Sequence, residues 1–323
     1  MSNTLKKSDI FWSTLFTLML SQAVLAVQED CDYAADLLFY AYHLHDQGSD
    51  VFQQKLLFNK SLRFCNNQPA VHNILASIAK EQNNYSEAIY HYKQAIYMRP
   101  DLFEGWYGLG EAYYEQARFS LSLEAYSYVC KINEKAKMRM ITLLKNKRYA
   151  TVENDKIIDT ESLLVLYNSE RRDALNNRLS KCGLGGYEVL PVYIFLNLYF
   201  DTKTVTLAAG DKAKNQLDEI VVALQQTHPS QVINIHGHTD ARPFLHISVA
   251  ESNQRNLELS QKRAAAVANA LEEHGVSKER IKIYGHGYKQ PLVRGKSPTA
   301  FAKNRRIEIE VEPVVKQKSI DEY

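Results

Sequence analysis

Through the first half of the chain, apolar and small positions recur at spacings of three and four, the period of helices that bury one face. Laid over one another, Pro69 to Leu102 and Phe103 to Ala136 carry the same residue classes at a period of about 34. Leu75, Ala76, Ala79, Tyr85, Ala88, Tyr92, Ala95 and Pro100 answer to Leu109, Gly110, Tyr113, Phe119, Ser122, Tyr126, Val129 and Glu134, and Trp106 takes the place of His72. A degraded copy fits Ala35 to Gln68, with Leu38, Ala41, Val51 and Phe58 in register, and a partial helix follows from Lys137. The small residues Ala76, Ala88 and Gly110 predict close approach of paired helices, with Tyr85, Tyr92, Phe119 and Tyr126 filling the space between. Three such units are about the fewest that bury a continuous core.

A further helix is predicted over Thr160 to Lys181, and Gly183, Gly185 and Gly186 read as a domain boundary. The pattern then changes. Val189 to Thr206, rich in β-branched and aromatic residues, reads as a strand or long hairpin, and Leu207 to Gln226 as a helix with Leu217, Ile220, Val221 and Leu224 on one face. Next come a strand at Val232 to Gly237, a long loop at Ala241 to Arg255 and a helix at Asn256 to His274. A strand near Ile281 to Tyr284, a polar turn around Ser297 and a strand from Arg306 to Val311 complete the series. Strands alternating with helices make a two-layer α/β domain. The expected division is 1–26 a targeting segment, 27–150 repeats, 151–186 a helical connector, 187–313 the α/β domain and 314–323 a charged tail.

The targeting segment has three parts: Lys6 and Lys7, an apolar stretch from Ile10 to Leu20, and small residues leading to Ala26. This is the pattern of a cleaved secretory signal, with the mature chain expected to begin near Val27. The residue just after Ala26 is Val27 and not a cysteine, so a lipid anchor at that point is not indicated. The chain of 323 residues is long enough for more than one core, and its formal charge of +2 predicts no nucleic-acid partner.

The chemistry is concentrated at Gly237, His238, Thr239 and Asp240, just past an apolar strand, and at Asn256, Leu259, Ser260, Arg263 and Ala264 on the following helix. A carboxylate at a strand end and a guanidinium in the first turns of a helix suit the two charges of a zwitterion, Asp240 the ammonium and Arg263 the carboxylate. No nucleophile accompanies them. His236, His238 and Asp240 also spell H-x-H-x-D, which invites a metallohydrolase, but Ala241 stands where that pattern needs another histidine. A glycosidase or amidase would need a carboxylate pair or an activated nucleophile, and an aspartate beside an arginine is biased toward a low pKa. Neither a metal nor another cofactor is expected. Arg305 and Arg306 are expected to pair with acids across the sheet, and His286 to be a turn residue.

The repeats resemble the tetratricopeptide repeat, which implies an all-α helical array and a protein partner on its concave face. The last domain resembles the OmpA-like peptidoglycan-binding domain, on four blocks: Tyr199, Phe200 and Asp201; Gly237 to Asp240; Asn256, Leu259, Ser260, Arg263 and Ala264; and Asn304 to Ile309. The resemblance implies meso-diaminopimelate of the peptidoglycan stem peptide as ligand. Asp240 would take its ammonium and Arg263 its carboxylate, backbone N–H groups near Phe200 and Asp201 would donate to carboxylate oxygens, and Thr239 and Asn256 would shape the loop. The long Ala241 to Arg255 connection is like that of flagellar stator members. A proton-driven stator needs an acid in a membrane helix, however, and none lies between Ile10 and Val27. The expected protein is a non-catalytic scaffold of a Gram-negative periplasm, either soluble or held at the outer membrane by its partner.

Export makes the four cysteines candidate disulfides. In a repeat-type hairpin Cys31 precedes the first helix and Cys65 ends the second, so antiparallel packing predicts Cys31 with Cys65, and Cys130 with Cys182 by elimination.

Overall fold

The computed structural model describes residues 30–44, 50–153, 156–196 and 211–313. The targeting segment, the charged tail and the Tyr199, Phe200 and Asp201 block lie outside the described residues. The chain divides into two compact units between Ala112 and Tyr113. Among the described residues no helix is long and apolar enough to cross a membrane.

The first unit is helical: α1 (residues 30–44), α2 (Val51–Phe64), α3 (Pro69–Glu81), α4 (Tyr85–Met98) and the greater part of α5 (Phe103–Glu115). Pro69 sits at the start of α3, where its missing N–H costs nothing, and the Asn84 side chain caps α4 by accepting from Glu87 N. Ala41, Phe58, Val71 and Leu75 form a shared core between the first and second hairpins. Leu75, Ala76, Ala79, Ala88, Tyr92 and Ala95 are buried as the repeat pattern predicts. Two further small residues prove decisive. A Cβ on Gly108 would stand 2.2 Å from the Tyr92 ring and one on Gly105 2.9 Å from Ile96, so these glycines let α5 lie against α4. Cys31 and Cys65 are joined, tying α1 to the end of α2.

The second unit continues with α6 (Phe119–Ser127), α7 (Glu134–Leu144), a 3-10 turn at Lys145–Ala150 and a two-residue strand β1 (Thr151–Val152). The helix expected over Thr160 to Lys181 is two helices, α8 (Thr160–Tyr167) and α9 (Ser169–Lys181). Asn168 breaks them, adopting extended φ/ψ and capping α9 by accepting from Arg171 N. Cys130 and Cys182 are joined, so both expected disulfides are formed.

The sheet follows: β2 (Val192–Leu196), α10 (Asp211–Gln225), β3 (Ile233–Gly237), α11 (Val249–Glu273), β4 (Ile281–Gly285), α12 (Pro298–Asn304) and β5 (Arg306–Val311). Strand order is β1-β2-β5-β3-β4, with β1 parallel to β2, β5 antiparallel to both β2 and β3, and β4 parallel to β3. The parallel pair β3 and β4 is joined through α11, which packs on both strands. The architecture is thus helical repeats followed by a mixed α/β domain.

Two expectations need correction. The loop after Asp240 is shorter than Ala241 to Arg255, because Ser248 caps a helix that already starts at Val249, its side chain accepting from Glu251 N at 3.2 Å. Arg263 therefore lies in the middle of α11, not in its first turns. The polar turn at Ser297 is the N-cap of α12, with Pro298 at the first helical position.

The connector helices share their surroundings with the sheet. Tyr167 Oη donates to the Ile309 carbonyl at 3.1 Å, Tyr193 Oη donates to that of Ser162, and Thr160 N donates to Glu219 Oε2 at 2.6 Å. Arg118 holds Asp159 through two bonds of 2.8 and 2.7 Å, fixing the start of α8 to the start of α6.

Candidate functional site

The site is built where α11 crosses the ends of β3 and β4. Gly237 and Gly285 are register partners in those strands. A Cβ on Gly237 would stand 2.0 Å from the Ser260 carbonyl oxygen, and one on Gly285 2.8 Å from Gln261 N. Only glycine at both positions lets the helix backbone lie so close, and this brings Asn256 to Arg263 alongside the segment that follows Gly237.

Neighbouring backbone holds that segment on both sides. His238 N donates to Arg306 O at 3.0 Å and Thr239 N to Gly287 O at 2.9 Å, while His286 N donates to Gly237 O at 3.0 Å. Gly287 N donates to Ser260 Oγ at 2.9 Å, which ties the return loop to α11. The expected turn residue His286 therefore belongs to the framework. Thr239 and Asn256 are both buried, and Asn256 Nδ2 donates to Ser252 O at 3.1 Å. Ser252 in turn accepts from Phe244 N at 2.9 Å, so this stretch of α11 anchors the loop.

Asp240 is buried at 6% exposure and its carboxylate is gripped by two arginines. Arg242 donates to it from the backbone N at 2.9 Å, from Nε at 3.0 and 3.1 Å and from Nη2 at 2.7 Å. Arg305 Nη1 lies 2.8 Å from Oδ2. Burial pushes the Asp240 carboxyl up, but the hydrogen bonds from Arg242 and Arg305 outweigh it and hold the group below its usual range. Arg263 is half-buried within electrostatic reach of both neighbours. Burial lowers its pKa, Arg305 lowers it further, and Asp240 opposes them. The structure thus places Asp240, Arg263, Thr239 and Asn256 in one neighbourhood. Phe200 and Asp201 fall outside the described residues.

Sequence reasoning missed Arg242 and assigned Arg305 to an acid across the sheet. Arg305 does pair with an acid, but the acid is Asp240 itself. Arg306 bonds Glu308 of its own strand at 2.7 Å. Only the antiparallel register, in which Gly237 faces Ile307, reveals that residues just before Ile307 flank those just after Gly237.

A ladder of rings stands beside the site. His236 stacks on Tyr284 at 4.9 Å and on His286 at 5.2 Å, and His286 stacks on His238 at 4.8 Å. His236 Nδ1 and His286 Nε2 are 3.0 Å apart. Among the described residues no three His, Cys, Asp or Glu side chains are grouped so as to hold a metal ion. His238 is 2% exposed and neither ring nitrogen has a hydrogen-bond partner. Burial, with Arg306 and the neighbouring histidines, pushes its pKa down to about 2.

The first unit holds a separate groove of about 810 Å³, lined by residues that include Phe52, Lys55, Leu56, Tyr90 and the His72 and His91 pair. The two histidines are buried and their Nδ1 atoms are 2.9 Å apart. Burial and His72 push His91 down to about 4.

The probable lipoprotein YiaD of Escherichia coli is 31% identical over 118 residues, covering 36% of this chain and 49% of that protein. The peptidoglycan-associated lipoprotein of Buchnera aphidicola is 38% identical over 79 residues, covering 24% of this chain and 41% of that one. The chain thus spans about half or less of the length of these curated relatives. The crystal structure of the peptidoglycan-associated lipoprotein from Burkholderia pseudomallei is 30% identical, covering 35% of this chain and 87% of that one at a TM-score of 0.30. Residues 199–305 match the model of the OmpA family and residues 76–116 that of the TPR repeat. The chain therefore carries an OmpA-family domain preceded by tetratricopeptide repeats.

Proposed function

We propose that this protein is a non-catalytic scaffold of the cell envelope, whose OmpA-family domain binds peptidoglycan and whose repeats bind a protein partner. In this reading residues 27–150 carry the repeats, 151–186 connect them and 187–313 hold the wall, in the periplasm of a Gram-negative cell. The names of the relatives support peptidoglycan as the target.

The observation that carries the ligand assignment is the buried Asp240 carboxylate with Arg263 within electrostatic reach. A diaminopimelate side chain ends in one ammonium and one carboxylate. Asp240 accepts the first, Arg263 donates to the second, and Thr239 and Asn256 hold the loop between them. Phe200 and Asp201 are proposed to add backbone donors. A carboxylate kept ionised by arginines is suited to binding a cation and unsuited to general acid work, which favours a scaffold over a wall hydrolase. Affinity at one site is expected to be modest, and a polymer with many stems supplies avidity.

The test is a comparison of muropeptides with the purified protein. Stems containing meso-diaminopimelate should bind and stems containing lysine at the same position should not, since lysine lacks the terminal carboxylate. Equal binding of both stems would remove Arg263 from the assignment. Release of soluble fragments from the wall would replace the scaffold with an enzyme.

A further inference from the structure

We propose that Arg242 occupies the ammonium position of the site in the absence of ligand, so that it sets both the affinity and the selectivity of binding. The inference rests on the assignment of Asp240 to an ammonium group.

The two arginines on Asp240 are unlike. Arg305 is 26% exposed and precedes β5, where the antiparallel register with β3 fixes its approach. Arg242 is 58% exposed while the carboxylate it grips is 7% exposed. Its guanidinium therefore covers Asp240 from the solvent side, the side from which a ligand arrives. Nε reaches both carboxylate oxygens and Nη2 reaches Oδ2, so the fork occupies the acceptor positions that an arriving ammonium would need.

The fork can leave without dismantling the loop. The Arg242 backbone N–H donates to Asp240 Oδ1 at 2.9 Å and keeps the local turn whatever the side chain does. While it grips Asp240, the guanidinium also lies 5.4 Å from the Phe301 ring centroid, on α12. When the ligand's ammonium replaces the fork, Asp240 stays paired with Arg305. A ligand with a carboxylate but no ammonium gains nothing from displacing Arg242. The residue thus selects for the zwitterion.

The sign of the effect separates this from simple attraction. Removing a positive charge should weaken binding of a ligand whose net charge is negative, whereas removing a competitor should strengthen it. The experiment is isothermal titration of the full chain with the tripeptide L-Ala-γ-D-Glu-meso-diaminopimelate, and with the same tripeptide carrying 2-aminopimelate, which lacks the terminal amine. Arg242→Ala should bind the first peptide about fivefold tighter than wild type, the upper value of an exposed arginine–carboxylate pair. It should not bind the second any tighter. Unchanged or weaker binding of the first peptide by Arg242→Ala overturns the proposal, as does an equal gain for both peptides. Asp240→Ala reports on the underlying assignment. If wild type binds and Asp240→Ala does not while Arg242→Ala gains nothing, only the role of Arg242 falls. If neither wild type nor Arg242→Ala binds the peptide, the ligand assignment falls and this inference with it.

Discussion

Arg305 Nη1 stands 2.8 Å from Asp240 Oδ2, joining the start of β5, the central strand, to the segment just past β3 across 65 residues of chain. The contact is partly buried and charge-assisted, and such a bond is worth more than a neutral one. Arg305→Ala leaves Asp240 hydrogen-bonded to Arg242 with Arg263 within electrostatic reach. Urea denaturation should show a loss of roughly 1 to 2 kcal/mol of unfolding free energy. An unchanged midpoint and slope would show that Arg242 compensates alone.

Gly237 decides how close α11 may come to the sheet. Because a Cβ would stand 2.0 Å from the Ser260 carbonyl oxygen, which is backbone and cannot rotate aside, Gly237→Ala must push the helix away. Thermal unfolding should report a loss of about 3 kcal/mol or more, the upper range for overpacking a filled interior. Binding should fall as well, because Arg263 moves with the helix. A variant with wild-type stability would mean that helix and strand are not held together as described.

Acid should destabilise the protein earlier than its carboxylates alone would suggest. His238 is held down to about 2 and His91 to about 4, against an ordinary 6.5, by burial first of all. The unfolded chain takes up these protons near pH 6.5 and the folded chain does not. The stability these groups contribute is therefore complete above pH 6.5 and is lost as pH falls from there toward the folded values. The slope should approach about 1.4 kcal/mol per pH unit for each histidine. Asp240, whose folded pKa is lowered, adds a further loss only below its unfolded value near 3.8. His238→Leu removes one histidine from this account and two buried nitrogens without hydrogen-bond partners. Denaturation at pH 5 and pH 8 should show a smaller difference for His238→Leu than for wild type. An equal difference would place His238 in water.

Much of the organisation was legible in residue spacing. The 34-residue period placed the paired helices, because small and aromatic residues must recur wherever helices stack, and alternation of β-branched residues placed β3 and β5. The start of α11 was also readable: Ser248 followed by Glu251 is a capping pattern that the reading of a long loop passed over. Ser297 before Pro298 was a second helix start read as a turn. The grip on Asp240 was not legible. Arg305 meets it through strand order, and strand order is a property of the whole sheet that no local pattern carries. The burial of His238 was not legible either, because it depends on Arg306 and His286, neighbours from other strands and loops.

The disulfides make a prediction about reducing conditions. Cys31 and Cys65 are separated by 34 positions and Cys130 and Cys182 by 52. In the chain-entropy model each closes a loop worth roughly 4 kcal/mol. Dithiothreitol should lower the unfolding midpoint, with protection in the α1 and α2 hairpin, which Cys31–Cys65 closes, lost in hydrogen exchange. Equal exchange with and without reductant would show that the hairpin is held by its core alone.

The central claim is that Asp240 and Arg263 together hold the cell wall. Co-sedimentation with purified Gram-negative sacculi tests it most directly, using wild type, Asp240→Ala and Arg263→Ala, each confirmed folded by circular dichroism. Wild type should pellet with the sacculi and both variants should remain in the supernatant, with no muropeptides released. Undiminished sedimentation of the folded variants would contradict the account.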